Sequence, residues 1–237
     1  MAHRYLAFDI ETAKVTPGPV RDVKALRPLG VCCAAVLLSG ESVPRIWHGV
    51  TSEGTPSPRM TEAEVQQLVR DLAEYVEQGW TIITWNGAGF DFEILAEESG
   101  LQEECARLAL DHVDMMFQVV CEKGFPIGLD AAARGMELQG KSKQVQQHEV
   151  PQFWADGRTD EVLSYLTADV RATLEVALTC EQRQELCWIT QRGRKSRMPL
   201  STGWLSVTDA MKLPLPDTSW MDNSKSRESF LDWLREP

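Results

Sequence analysis

No stretch of this 237-residue chain stays apolar for the roughly 20 residues that a membrane-spanning helix needs, so no membrane partner is expected. The first residues lack both the basic and the apolar region of a secretory leader, because a strand-like run starts almost at once. A cytoplasmic location is the expectation. The six cysteines (Cys32, Cys33, Cys105, Cys121, Cys180 and Cys187) contain no Cys-x-x-Cys pair. The four histidines (His3, His48, His112 and His148) lack zinc-ligand spacing. Buried free thiols in a reducing compartment are therefore expected over disulfides or a thiolate metal site. Positive charge is scarce as well. A formal net charge of −11 argues against a general polyanion-binding surface. A nucleic acid would have to be held locally, by a basic patch and by bound metal, and metal-binding carboxylates are neutralised once loaded. No internal repeat is visible.

What the chain does contain is enough apolar sequence for one large domain, arranged as strands and then strands alternating with helices. Residues 4–11 read as a first strand. Gly30 to Leu38 is a continuous apolar run suited to a strand covered on both faces, and Val43 to Val50 reads as its returning partner. After a loop rich in Gly, Ser and Pro (Ser52 to Pro58), Thr61 and Glu64 form a capping box. The helix they open runs to about Gln78, with Val65, Leu68, Leu72 and Val76 on one face. Thr81 to Asn86 is another buried strand, and a helix starts near Phe90. Short helices are expected over 102–110, 115–122 and 129–137, and a long helix capped by Thr159 or Asp160 reaches about Gln184. This order fits a mixed sheet with helices on its faces. Beyond Glu185 the character changes. Trp188 to Thr190 and Trp204 to Val207 are expected as short strands around the basic stretch Arg192 to Arg197. Trp220, Phe230 and Trp233 suggest that the final segment docks on the main body. The expected division is a main domain over 1–186 and a C-terminal extension over 187–237.

The residues with chemical potential are acids. Asp9 and Glu11 sit one residue apart on the first strand, so they share a face. Two crowded carboxylates repel and need a proton or a cation, and hard divalent metals prefer oxygen ligands. In Trp85-Asn86-Gly87-Ala88-Gly89-Phe90-Asp91, a strand ends, glycines allow a tight turn, and an aspartate enters the first turn of a helix. Tyr165 and Asp169 are i and i+4 neighbours on the long helix, opposite an apolar stripe of Leu163, Leu166, Val170, Leu174 and Ala177. Taken singly, Asp91 reads as a helix cap and Tyr165 with Asp169 as an exposed helix face.

Together, strand-borne Asp-x-Glu, a strand–turn–Asp and a helical Tyr-x-x-x-Asp resemble the DEDD superfamily of 3′–5′ exonucleases, which share the ribonuclease H-like fold. The match is to the tyrosine subtype, similar to the proofreading exonuclease domain of family B DNA polymerases, and covers roughly residues 4–180. The histidine subtype requires His at position 164, where this chain has Ser164. The resemblance implies that Asp9, Glu11, Asp91 and Asp169 ligate two Mg²⁺ or Mn²⁺ ions. Asp9 would bridge them, Glu11 and Asp169 would complete the water-activating site, and Asp91 would hold the second ion. Tyr165 would orient the attacking water, and Asn86 and Phe90 would contact the terminal nucleotide. The implied reaction releases nucleoside 5′-monophosphates from the 3′ end of a single-stranded nucleic acid. No polymerase palm or fingers fits in the remaining residues, so a stand-alone nuclease is expected.

Among secondary candidates, Asp114 reads as structural. Lys141, Lys143 and Arg158 are solvated charges or phosphate contacts. Arg192, Arg194, Lys195 and Arg197 form the best basic patch, with Arg194 and Lys195 as candidate substrate contacts. The extension is assigned to a substrate channel or a protein interface. Two alternatives stay open: a non-cleaving scaffold that binds nucleic acid or protein, and a hydrolase of short oligonucleotides.

Overall fold

The computed structural model describes residues 3–20, 22–138 and 146–235; Lys141 and Lys143 lie outside them. A five-stranded mixed sheet organises the chain in the order β3-β2-β1-β4-β5, built from β1 (Tyr5–Thr12), β2 (Val31–Leu38), β3 (Arg45–His48), β4 (Thr81–Thr84) and β5 (Val113–Asp114). The first three strands pair antiparallel, and β4 and β5 run parallel to β1. The continuous apolar reading of β2 is explained by its burial at every position.

Alternation along β1 separates two cores. Leu6, Phe8 and Ile10 face a cluster formed with α1 (Glu62–Glu77), α2 (Asp91–Ser99) and α3 (Gln102–Asp111). Tyr5 and Ala7 face the other cluster, under α7 (Thr159–Arg183). Asp9 and Glu11 continue the Tyr5/Ala7 face, so the strand's period of two aims both carboxylates at α7.

The capping box forms as expected: Thr61 Oγ1 accepts from the Glu64 amide at 3.3 Å, and Glu64 Oε2 accepts from the Thr61 amide at 2.7 Å. The expected short helices are α3, α4 (Met115–Lys123) and α5 (Leu129–Gly135), followed by α6 (Val150–Ala155). The start of α7 differs from expectation. Arg158 occupies the cap position without a side-chain cap, and Thr159 opens the first turn. Asp160 and Glu161 there favour the positive end of the helix dipole. Its polar face also differs. Tyr165 and Asp169 are 5% and 4% exposed, not solvated, because α7 lies on β1, β2 and β4 and is covered by α5, α6 and β6.

After α7 the chain makes a hairpin of β6 (Glu185–Ile189) and β7 (Lys195–Pro199). The basic stretch is thus the turn and returning strand rather than a loop between strands, with Gly193 taking φ 72° in the turn. Trp204 lies in a loop, its Nε1 donating to the Ala177 carbonyl of α7 at 3.1 Å. Ser206 caps α8 (Val207–Ala210), so the strand expected over 204–207 is absent. The final segment docks through buried Trp233, whose Nε1 donates to the Ala88 carbonyl at 2.8 Å, and through Phe230, packed edge-on against Phe117. Trp220, expected to dock with them, is 70% exposed. All six cysteines are free and buried. Among the described residues no helix is long and apolar enough to cross a membrane.

Candidate active site

Three carboxylates converge where β1 passes under α7. One oxygen each from Asp9, Glu11 and Asp169 lies within 4.8 Å of the others. Strand pairing places Asp9 beside Ala35 and Glu11 beside Cys33, so small side chains on β2 leave room for the acids. A register shift between Glu11 and Thr12 ends the regular ladder at the same point.

The fourth acid arrives from the opposite side. Asp91 is the first residue of α2, its Oδ1 accepts from the Ile10 amide at 3.2 Å, and its carboxyl shares a hydrogen bond with Asp9. Burial holds the Asp91 carboxyl well above the usual range, and the neighbouring Asp114 charge adds to the shift.

The turn delivering Asp91 is fixed by buried polar groups. Asn86 takes φ 80° in the left-handed region, where asparagine is among the tolerated residues. A Cβ on Gly87 would come within 2.5 Å of Thr84 Oγ1, and one on Gly89 within 2.6 Å of the Phe230 ring. Glycine is required at both for this close packing. Asp114, at the end of β5, accepts from the amides of Asn86, Ala88 and Phe117, each at 3.0 Å. Burial raises its carboxyl to about 6 against those hydrogen bonds. Thr84 Oγ1 accepts from the Gly87 amide at 3.0 Å and donates to His112 Nε2 at 2.9 Å, while His112 Nδ1 donates to the Ala109 carbonyl at 2.8 Å. This assigns the neutral Nδ1–H tautomer, in keeping with burial lowering His112 to about 4.

All four acids line one cleft of about 510 Å³, together with Asn86 and Phe90. Trp85, Met116, Gln147 and Thr173 share its walls, with Ile127 and Gly128 at one edge. Past Glu11 it continues into a cavity of about 360 Å³ that reaches Lys14 and His148. Lys24 and Arg27 both pair with Glu93 of α2, which brings Val23 over the cleft. Tyr165, one turn before Asp169 on α7, is buried in the core cluster and does not line the cleft.

Arg194 and Lys195 stand apart on the hairpin. Lys195 pairs with Glu137 at 2.9 Å, and the Arg194 amide donates to Thr190 Oγ1. Arg158 is held by Glu161, at 2.7 Å through two nitrogens, and its guanidinium covers the Phe153 ring. The sequence marks Asp114 as structural without saying what it holds, which is the turn before Asp91. The Thr84–His112 link had no local signal, since its partners lie 28 residues apart.

Solved structures that resemble the chain include a polymerase and an exonuclease. The family B DNA polymerase from the hyperthermophilic archaeon Pyrobaculum calidifontis matches with a TM-score of 0.52 and 22% identity, covering 76% of this chain and 25% of that one. The chain thus spans about a quarter of that polymerase's length. Exonuclease I in complex with an inhibitor matches with a TM-score of 0.40 and 13% identity, over 78% of this chain and 42% of its own. At such identities the likeness concerns the fold. No curated protein matches the sequence. The RNase_H superfamily model matches residues 43–179, more than half of the chain. The sheet of this chain, in the order β3-β2-β1-β4-β5, carries Asp9 and Glu11 on its central strand, and the chain belongs to the RNase H superfamily.

Proposed function

We propose that this protein is a metal-dependent 3′–5′ exonuclease that hydrolyses single-stranded DNA, or RNA, from the 3′ end to nucleoside 5′-monophosphates. The observation that carries the reading is the convergence of Asp9, Glu11 and Asp169 oxygens within 4.8 Å, with Asp91 bonded to Asp9. The donor set is entirely carboxylate oxygen, which suits Mg²⁺ or Mn²⁺ rather than a thiolate- or imidazole-seeking metal. Asp9, Glu11, Asp91 and Asp169 would hold two such ions. Bound ions supply Lewis-acid neutralisation of the phosphodiester and lower the pKa of water.

The chain's own residues do the rest. Phe90, half-buried at the head of α2, offers a ring face to the terminal base, and Asn86, held in its strained conformation by Asp114, offers an amide to the terminal sugar. Tyr165, one helical turn before Asp169 on α7, is the residue we assign to orienting the attacking water.

The deciding experiment compares labelled single-stranded DNA, RNA, mismatched duplex and dinucleotides with Mg²⁺ and with Mn²⁺. The expected outcome is stepwise loss from the 3′ end with 5′-monophosphate products. Internal fragments, or no release with either metal, would overturn the proposal.

A further inference from the structure

The catalytic cleft does not end at its rim. Ile127 and Gly128 line both the cleft and a second groove of about 500 Å³ on the far side of the same edge. Gly128 keeps that edge low, with open space where a Cβ would stand. The second groove is floored by Trp188 of β6, and Phe125 stands edge-on to it with ring centres 6.2 Å apart. Phe125 in turn meets Trp220 edge-on at 6.3 Å. Arg192, in the turn of the basic hairpin, completes the wall.

Trp220 is the informative member. An indole that is 70% exposed contributes little to the core, yet this one is held in place. Its Nε1 donates to the Asp217 carbonyl at 3.1 Å. The adjacent Thr218 methyl fills the space over Gly124, where a Cβ would approach it to 2.3 Å. The Lys225 amide donates to the Gly124 carbonyl at 2.8 Å. Arg227, 5% exposed, ties the segment down by donating to the carbonyls of Met211, Leu213, Pro214 and Cys121. The C-terminal segment therefore presents a fixed aromatic face at the groove mouth.

Charge selects the occupant. In a chain of net charge −11, residues 190–197 carry four basic side chains and no acid. Lys195 is engaged by Glu137, and Arg197 lies 3.9 Å from Glu185, whereas Arg192 makes no ion pair among the described residues. A row of aromatic faces beside a cation, continuous with a phosphodiester-cleaving cleft, has the chemistry of a single-strand binding path: bases stack on rings without sequence preference, and arginine meets the backbone phosphate.

We infer that this groove is a second nucleic-acid subsite, holding the nucleotides of the single strand that precede the 3′-terminal one, with Trp220 and Phe125 as stacking faces and Arg192 as phosphate contact. The inference rests on the exonuclease reading for its substrate. Long strands then gain affinity that dinucleotides, confined to the acid cleft, do not.

The full-length protein is assayed with a 12-nucleotide oligothymidylate and with a thymidine dinucleotide in Mn²⁺. For Trp220→Ala, the ratio of kcat/KM on the 12-mer to that on the dinucleotide should fall about tenfold, the loss of one stacked base, through KM and not kcat. Arg192→Glu should lower the same ratio and flatten the salt dependence of KM by one phosphate contact. An unchanged ratio in both variants, with both substrates still cleaved, overturns the subsite and leaves the exonuclease reading intact. If the wild type cleaves neither substrate, the exonuclease reading fails. Fluorescence anisotropy of the 12-mer then decides the groove: weaker binding by both variants supports it, and equal affinity overturns it.

Discussion

Asp114 and the four acids of the cleft sit in different surroundings. Asp114 is surrounded by backbone donors, with the amides of Asn86, Ala88 and Phe117 all turned toward it. In the cleft, Asp9, Glu11 and Asp169 are turned toward one another, and Asp91 leans on Asp9. The first arrangement stabilises a turn. The second crowds carboxylates together, which folding alone does not reward. The donors around Asp114 mark it as a structural acid, whereas the clustered carboxylates of the cleft have the donor chemistry that suits a divalent cation.

Substitution at the two groups should separate them most sharply. Asp169→Asn should abolish nucleotide release, while its Tm in metal-free buffer stays level or rises by about 3 °C as one repelling charge is removed. Calorimetry without metal checks this, and a fall of several degrees would put Asp169 with Asp114 among the structural acids. Asp114→Ala should do the reverse in its main effect. Three backbone amides, two of them buried, lose their acceptor, which costs about 3 kcal/mol, or roughly 10 °C in Tm for a chain of this size. Amide exchange at Asn86 and Ala88 should accelerate, and activity should drop because the turn that carries Asp91 loosens.

The pH response sharpens the contrast further. His112 is buried neutral, with its pKa lowered to about 4 from 6.5. A depressed folded-state value means that its contribution is fully present above about pH 6.5 and is lost as pH falls toward 4. Asp114 has the opposite sign. Its value is raised to about 6, so its contribution is greatest below about pH 4 and declines as pH rises through 6. His112→Gln should therefore narrow its stability gap to the wild type between pH 6.5 and 4, measured by urea unfolding across that range. A constant gap would show that the imidazole is not buried neutral. The smallest effect belongs to a charge exposed to water. Arg158→Ala breaks an exposed pair with Glu161 and should leave both the urea midpoint and the KM for long strands unchanged.

How much of this was legible depends on the range of the cause. The capping box at Thr61 and Glu64, the alternation of β1 and the Gly-rich turn before Asp91 are local, and each was readable from neighbouring residues. The helix α7 was found but its environment was not. The stripe through Leu166 and Val170 reads as one buried face, and nothing in the sequence reveals that α5, α6 and β6 also cover Tyr165 and Asp169. The basic stretch was similarly visible while its role as a turn and strand was not, because hairpin register depends on what Trp188 packs against. Trp220 was expected to dock on the strength of being aromatic; burial depends on position, and this one stands at a groove mouth.

The sequence alone determined the acids, their order and the elements that carry them, since strand period, turn chemistry and helical spacing act over a few residues. Only the tertiary structure decided that Asp9, Glu11 and Asp169 meet within 4.8 Å, that Asp114 anchors the turn of Asp91, and that one edge at Ile127 and Gly128 joins an acid cleft to an aromatic groove. Those outcomes depend on packing between segments up to 160 residues apart, Asp9 against Asp169, whose relative placement is set by burial of two cores on the faces of one sheet.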